Sequence, residues 1–121
     1  MAETLKYITE ERCKEYDKKL ERLLTKDRIY LNPNLTVDSL AEHLKTNTTY
    51  LYYYIHNVLN TSFYTIVNTR RIEDAKVKLK ETNNKLDSIA SSCGFNSTRA
   101  FLRVFKGITG QTPTEWRLNN Q

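Results

Sequence analysis

The stretch Ile89-Ala90-Ser91-Ser92-Cys93-Gly94-Phe95-Asn96-Ser97-Thr98-Arg99-Ala100-Phe101-Leu102-Arg103-Val104-Phe105-Lys106 decides the fold. Leu86, Ile89, Ala90 and Cys93 lie at helical spacing, and Gly94 stands where a short helix must end in a left-handed residue. A cap signal follows at Asn96 or Ser97. Phe101, Val104 and Phe105 then mark the inner face of a second helix. The segment reads as a short helix, a tight turn and a longer helix, the helix-turn-helix arrangement.

The same unit occurs earlier in the chain. Val37, Leu40, Ala41 and Leu44 repeat Leu86, Ile89, Ala90 and Cys93 at a shift of 49 residues. Leu51 and Ile55 answer to Phe101 and Phe105, and Asn60-Thr61-Ser62-Phe63 answers to Gly110-Gln111-Thr112-Pro113, now at a shift of 50, so the second copy holds one extra residue in its turn. Repetition of this kind marks a duplicated supersecondary unit. Ala41 and Ala90 fall where the two helices of each unit approach most closely. Lys45 occupies the position of Gly94, so the first turn must either carry strain or adopt another geometry.

The rest of the chain fits around these units. From Phe63 to about Glu81 runs the longest helix, ended by Asn83-Asn84. Thr9 is a cap for an earlier helix striped by Cys13, Tyr16, Leu20, Leu23 and Leu24, which runs to about Lys26, and Asn32-Pro33-Asn34 breaks the chain after it. The expected fold is all-α, with about seven helices forming two helix-turn-helix subdomains joined by a long linker helix. The expected divisions are an N-terminal helix in residues 1–30, a first helix-turn-helix in 31–62, a linker helix in 63–82 and a second helix-turn-helix in 83–121. The N-terminal helix either packs on the first lobe or ends a connector from another domain.

Composition agrees. A chain of 121 residues suits one domain or two small lobes. Three glycines and two prolines are too few for the frequent turns of a β-sandwich or barrel. Two cysteines make no disulfide framework, and with His43 and His56 they form no ligand spacing, so no metal or cofactor is expected. Met1–Glu10 lacks an apolar signal core, and no apolar run approaches the roughly 20 residues that cross a bilayer, so a cytoplasmic chain without membrane contact is expected. The Asn-x-Ser/Thr triplets at Asn34, Asn47, Asn60 and Asn96 then read as caps and turns. No nucleophile, base and oxyanion set can be assembled, so the chain is not expected to be an enzyme.

The net charge of +5 is unevenly spread: residues 1–44 carry eight Lys/Arg against nine Asp/Glu, and residues 45–121 carry eleven against five. A localised positive field suits a polyanion. In the second unit the stripe opposite the phenylalanines is Thr98, Arg99, Leu102, Arg103 and Lys106. An α-helix fits the major groove, where arginine pairs bidentately with guanine and an apolar group touches the thymine methyl. In the first unit the outward stripe is Thr48, Thr49, Tyr52, Tyr53 and His56, while Tyr54 falls on the core side with Leu51, Ile55 and Val58. That first stripe is almost uncharged, and a helical protein-interaction module docking a partner through its tyrosines is the alternative function.

These residues resemble the DNA-binding domain of AraC/XylS-type transcription regulators. The resemblance rests on Ile89-Ala90, Gly94-Phe95, Phe101, Arg103-Val104-Phe105-Lys106, Gly110-Gln111-Thr112-Pro113 and Trp116-Arg117. Leu40-Ala41, Leu51, Phe63 and Arg71-Ile72-Glu73-Asp74-Ala75-Lys76 support it, so that it spans about 70% of the chain. It implies a sequence-specific regulator of bacterial promoter DNA whose two recognition helices enter successive major-groove segments. By position it implies base contacts from Thr49, Tyr52, Tyr53, Thr98, Arg99 and Arg103. Thr48, His56, Ser97, Leu102 and Lys106 are expected at the DNA backbone or flanks. It further implies RNA polymerase and an N-terminal sensor or dimerisation domain as protein partners. Lys45, Asn60, Tyr53 and Arg70 depart from the family pattern, which alters the preferred DNA sequence rather than the ability to bind.

Overall fold

A computed structural model describes residues 8–121; the part of the 1–30 segment before Ile8 lies outside the described residues. Seven α-helices and no strand are found among them: α1 (Glu10–Thr25), α2 (Val37–His43), α3 (Thr48–Tyr53), α4 (Phe63–Glu81), α5 (Leu86–Ser92), α6 (Thr98–Thr109) and α7 (Pro113–Asn119). A single 3-10 turn covers Ile29–Leu31, and α3 continues into a π-helical turn, Tyr54–Val58. The all-α reading is therefore correct.

Local chemistry sets most boundaries. The side chain of Thr9 accepts from Arg12 N–H at the start of α1, and Glu10 and Glu11 favour the same end. Thr36 and Ser39 form a reciprocal capping box at α2, as do Thr112 and Glu115 at α7 with Pro113 in the first turn. Asn47 caps α3 and Ser97 caps α6. At α5 the cap position falls on Lys85, which makes no side-chain cap bond, and the preceding Asn84 carbonyl accepts from Arg117.

The described residues form two compact units: one gathers residues 8–29 with Leu35–Ile66, and the other gathers Tyr30–Asn34 with Val67–Gln121. This division differs from the boundaries read in the sequence at two places. Residues 30–34 join the second unit although their neighbours on both sides join the first. The long helix gives its first four residues to the first unit and the remainder to the second.

In the first unit α1 is an integral part of the core. Cys13, Tyr16, Leu20, Leu23 and Leu24 are buried, as are Leu40, Ala41, Leu44, Leu51, Tyr54 and Ile55. The Tyr16 hydroxyl donates to Thr46 Oγ1 at 2.8 Å, and the Tyr54 hydroxyl donates to the Asp17 carboxylate. The two rings meet edge to face with centroids 5.2 Å apart. Burial and the Asp17 carboxylate push the Tyr54 phenol pKa well up, so it stays a neutral donor.

The second unit is built on Ile72, Ala75, Leu79, Ile89, Ala90, Cys93, Phe95, Phe101, Val104 and Phe105. Phe95, Phe101, Phe105 and Trp116 form a chain of ring contacts with centroids 5.3 to 6.2 Å apart. Arg117 closes the end of α4: its Nε donates to Leu79 O at 2.9 Å and one terminal nitrogen donates to Thr82 O and Asn84 O. Leu79 O lies in the last turn of α4, where carbonyls have no partner within the helix, so the guanidinium supplies one and also ties down the residues that follow.

Candidate nucleic-acid interface

The second helix of the second unit separates its faces sharply. Phe101, Val104 and Phe105 are buried, whereas Arg99, Arg103, Lys106 and Leu102 are exposed. No acidic residue occurs between Thr98 and Thr109, so every formal charge carried by α6 itself is positive. Arg99 and Arg103 stand one turn apart and share one face. Ser97 uses its hydroxyl to accept from Ala100 N–H. Half-buried Thr98 donates its hydroxyl to Asp87 Oδ1 at 2.7 Å, which pins the start of α6 to α5.

The equivalent helix of the first unit is shaped differently. Leu59 N–H reaches Tyr54 O and Thr61 N–H reaches Ile55 O, each at 3.0 Å, so the helix widens beyond the i to i+4 pattern as it ends. Thr49, Tyr52 and His56 are exposed, with the Tyr52 and His56 rings 5.7 Å apart. Thr48 and Tyr53 are half-buried, so Tyr53 is less outward than the sequence pattern suggested. The pattern assumed 100° per residue, and Tyr53 immediately precedes the widened turn. A shallow groove of about 270 Å³ is lined by Thr49, Tyr50, Tyr52, Tyr53, His56 and Asn57. Tyr50 and Asn57 join this surface although the outward stripe omitted them; only the widened turn could have revealed Asn57.

Both turns keep the left-handed geometry that the glycine pattern implies. Gly94 has φ +96° and its counterpart Lys45 has φ +56°; Gly110 has φ +80° and its counterpart Asn60 has φ +55°. Of the two alternatives for Lys45, strain is therefore the one realised. Asn60 is eased by the tolerance of asparagine for this region.

Arg71, a motif residue with no evident role in the sequence, is an anchor in the structure. Its Nε donates to Tyr30 O at 2.7 Å and a terminal nitrogen donates to Asn32 O at 2.9 Å, with the guanidinium 5.7 Å from the Phe95 ring centroid. Burial lowers its pKa, yet arginine stays charged. Cys13 and Cys93 are free and buried, and burial raises both thiol pKa values. Among the described residues no helix is long and apolar enough to cross a membrane.

Comparison with known proteins agrees with this architecture. A family model described as a helix-turn-helix domain matches residues 40–119. An uncharacterised HTH-type transcriptional regulator of Staphylococcus aureus is 32% identical over 101 residues, covering 84% of this chain and 14% of that protein. The chain thus spans about one seventh of the curated relatives it first matches. The DNA-binding domain of AdpA, solved in complex with a target DNA, superposes with TM-score 0.75 at 18% identity, covering 87% of this chain and 91% of that one. A transcriptional regulator from Chromobacterium violaceum, one of the AraC-type DNA-binding domain-containing proteins, superposes with TM-score 0.71 at 22% identity, covering 86% and 92%. With two helix-turn-helix units, the motif residues in place and a family model over most of its length, the chain belongs to the AraC-type helix-turn-helix family of transcription regulators.

Proposed function

We propose that the chain is the DNA-binding region of a bacterial transcription regulator, with α3 and α6 as recognition helices entering successive major-groove segments. The observation that carries this reading is α6: three exposed cations on one side, three buried apolar residues on the other and no acidic residue along it. Arg99 and Arg103 have the reach and donor geometry for guanine edges, and Lys106 for a flanking phosphate. Thr98 would release Asp87 to reach a base. Leu102 suits a thymine methyl, and Ser97 lies at the flank.

In the first unit Thr49, Tyr52 and Tyr53 supply ring faces and hydroxyls rather than cations, with Thr48 and His56 beside them. They favour thymine-containing sequence over guanine. The 19 residues of α4 would span about 28 Å at 1.5 Å per residue, against a duplex pitch of about 34 Å. A modest bend in the DNA would accommodate that difference. RNA polymerase and an N-terminal sensor or dimerisation domain are proposed as protein partners on the family resemblance alone. The function is a cytoplasmic and non-enzymatic one.

Salt titration of binding to duplex selected from random DNA tests the reading. Several phosphate contacts should weaken binding about 10³-fold or more between about 50 and 200 mM salt. Failure to enrich any duplex, or a salt-insensitive complex with a protein instead, would overturn it in favour of an interaction module.

A further inference from the structure

The turn of the second helix-turn-helix unit holds one residue more than the turn of the first, and the structure gives that residue a use. Phe95 and Asn96 lie in the lengthened turn, and residues 30–34 are docked against it. Asn96 Nδ2 donates to Pro33 O at 3.2 Å. A Cβ added to Gly94 would lie 2.4 Å from Tyr30 O and 3.1 Å from Leu31 Cα, so the backbones touch there with no room for a side chain. Arg71 holds the docked segment to the turn: it donates to Tyr30 O and Asn32 O, and its Nε would lie 2.9 Å from a Cβ on Gly94, while the Tyr30 hydroxyl donates to Asp74 Oδ2 at 3.0 Å.

All of these groups belong to the second unit, although residues 30–34 precede the first helix-turn-helix in the chain. The docked turn ends at Ser97, the cap of α6, one residue before the helix that carries Arg99 and Arg103. A displacement of the turn is therefore passed directly to the first turn of α6.

We propose that residues 30–34 form a positioning strap that fixes the N-terminal end of α6, so that Arg71 and Asn96 set base discrimination at the second half-site without touching DNA. This rests on the reading of α6 as a recognition helix. Placement of contacting groups within a fraction of an ångström is what separates a discriminating site from a merely attractive one. Arginine is needed at position 71 because a lysine ammonium cannot span two carbonyls in fixed directions.

The test uses the 121-residue chain with Asn96→Ala and Arg71→Lys. Discrimination is measured at single base pairs of each half-site of the selected duplex, alongside the melting temperature and amide exchange of residues 98–103 in the free protein. Asn96 is exposed, so Asn96→Ala should melt with the wild type. Both variants should lose about threefold or more in discrimination at the half-site read by Arg103, with the other half-site unchanged. Exchange in the first turn of α6 should quicken. Equal losses at both half-sites, or unaltered discrimination, would overturn the strap. Exchange decides independently of DNA: wild-type rates at residues 98–103 in both variants would sink the strap even with binding intact, whereas a wild-type chain that binds no duplex would sink only the DNA-binding reading.

Discussion

The two helix-turn-helix units share a plan and solve its hardest point, the left-handed turn residues, in opposite ways. The second unit uses Gly94 and Gly110; the first uses Lys45 and Asn60, all four at positive φ. The difference follows from what approaches the turn. Gly94 is crowded by Tyr30, Leu31 and Arg71, so even a methyl group is excluded, while Lys45 is exposed and only its backbone is strained. One position is constrained by space and the other by torsion alone. The recognition helices differ in parallel: α6 is regular and cationic, and α3 is short, neutral and widened into a π-turn.

The largest expected effect probes the crowded turn. Gly94→Ala combines overpacking with left-handed strain and should cost about 2–5 kcal/mol in denaturant unfolding. A loss below that of Gly110→Ala, which meets nothing within 4 Å, would erase the contrast. Next comes the contrast in charge. Arg103→Ala should cost about 1–3 kcal/mol of binding and relax preference at one base pair. Tyr52→Ala should cost less on the same duplex. If Arg103→Ala weakened every sequence equally, the arginine would be a phosphate clamp. A third change concerns the anchoring of α1: Tyr54→Phe removes a hydrogen bond to a carboxylate and should cost about 1.5–3 kcal/mol of stability at most, read by chemical denaturation. The smallest is Lys45→Gly, which relieves a strain of about 1–2 kcal/mol but adds freedom to the unfolded chain, leaving a net gain under about 1 kcal/mol. A destabilised Lys45→Gly would show that the lysine side chain does more than tolerate its backbone.

Much of this was legible in the sequence because it is local. The span of α4, the caps at Thr9 and Thr36, the inward Tyr54 and the paired phenylalanines all follow from spacing of three and four residues. The outward positions of Arg99, Arg103 and Lys106 follow from the same rule. The π-turn after Tyr53 did not, since nothing in the residue pattern marks a helix that widens, and so the half-burial of Tyr53 and the inclusion of Tyr50 and Asn57 went unread. The bond from Thr98 to Asp87 crosses between helices and has no periodic signature. Residues 30–34 looked like an ordinary break, because Asn32-Pro33-Asn34 says that a helix ends without saying what the backbone then lies against. Arg71 and Arg117 were visible as motif members, but their partners are backbone carbonyls, which every residue has.

Helical domains ordinarily fold fast because their contacts are close in sequence. The bonds from Asn96 to Pro33, from Tyr30 to Asp74 and from Arg71 to Tyr30 bridge 63, 44 and 41 residues, so the second unit closes only after a loop that contains the whole first helix-turn-helix, Leu35–Ile66, has been drawn shut. Refolding of this chain should therefore have a slow final phase reported by Trp116, and shortening that loop entropy by any means would speed it.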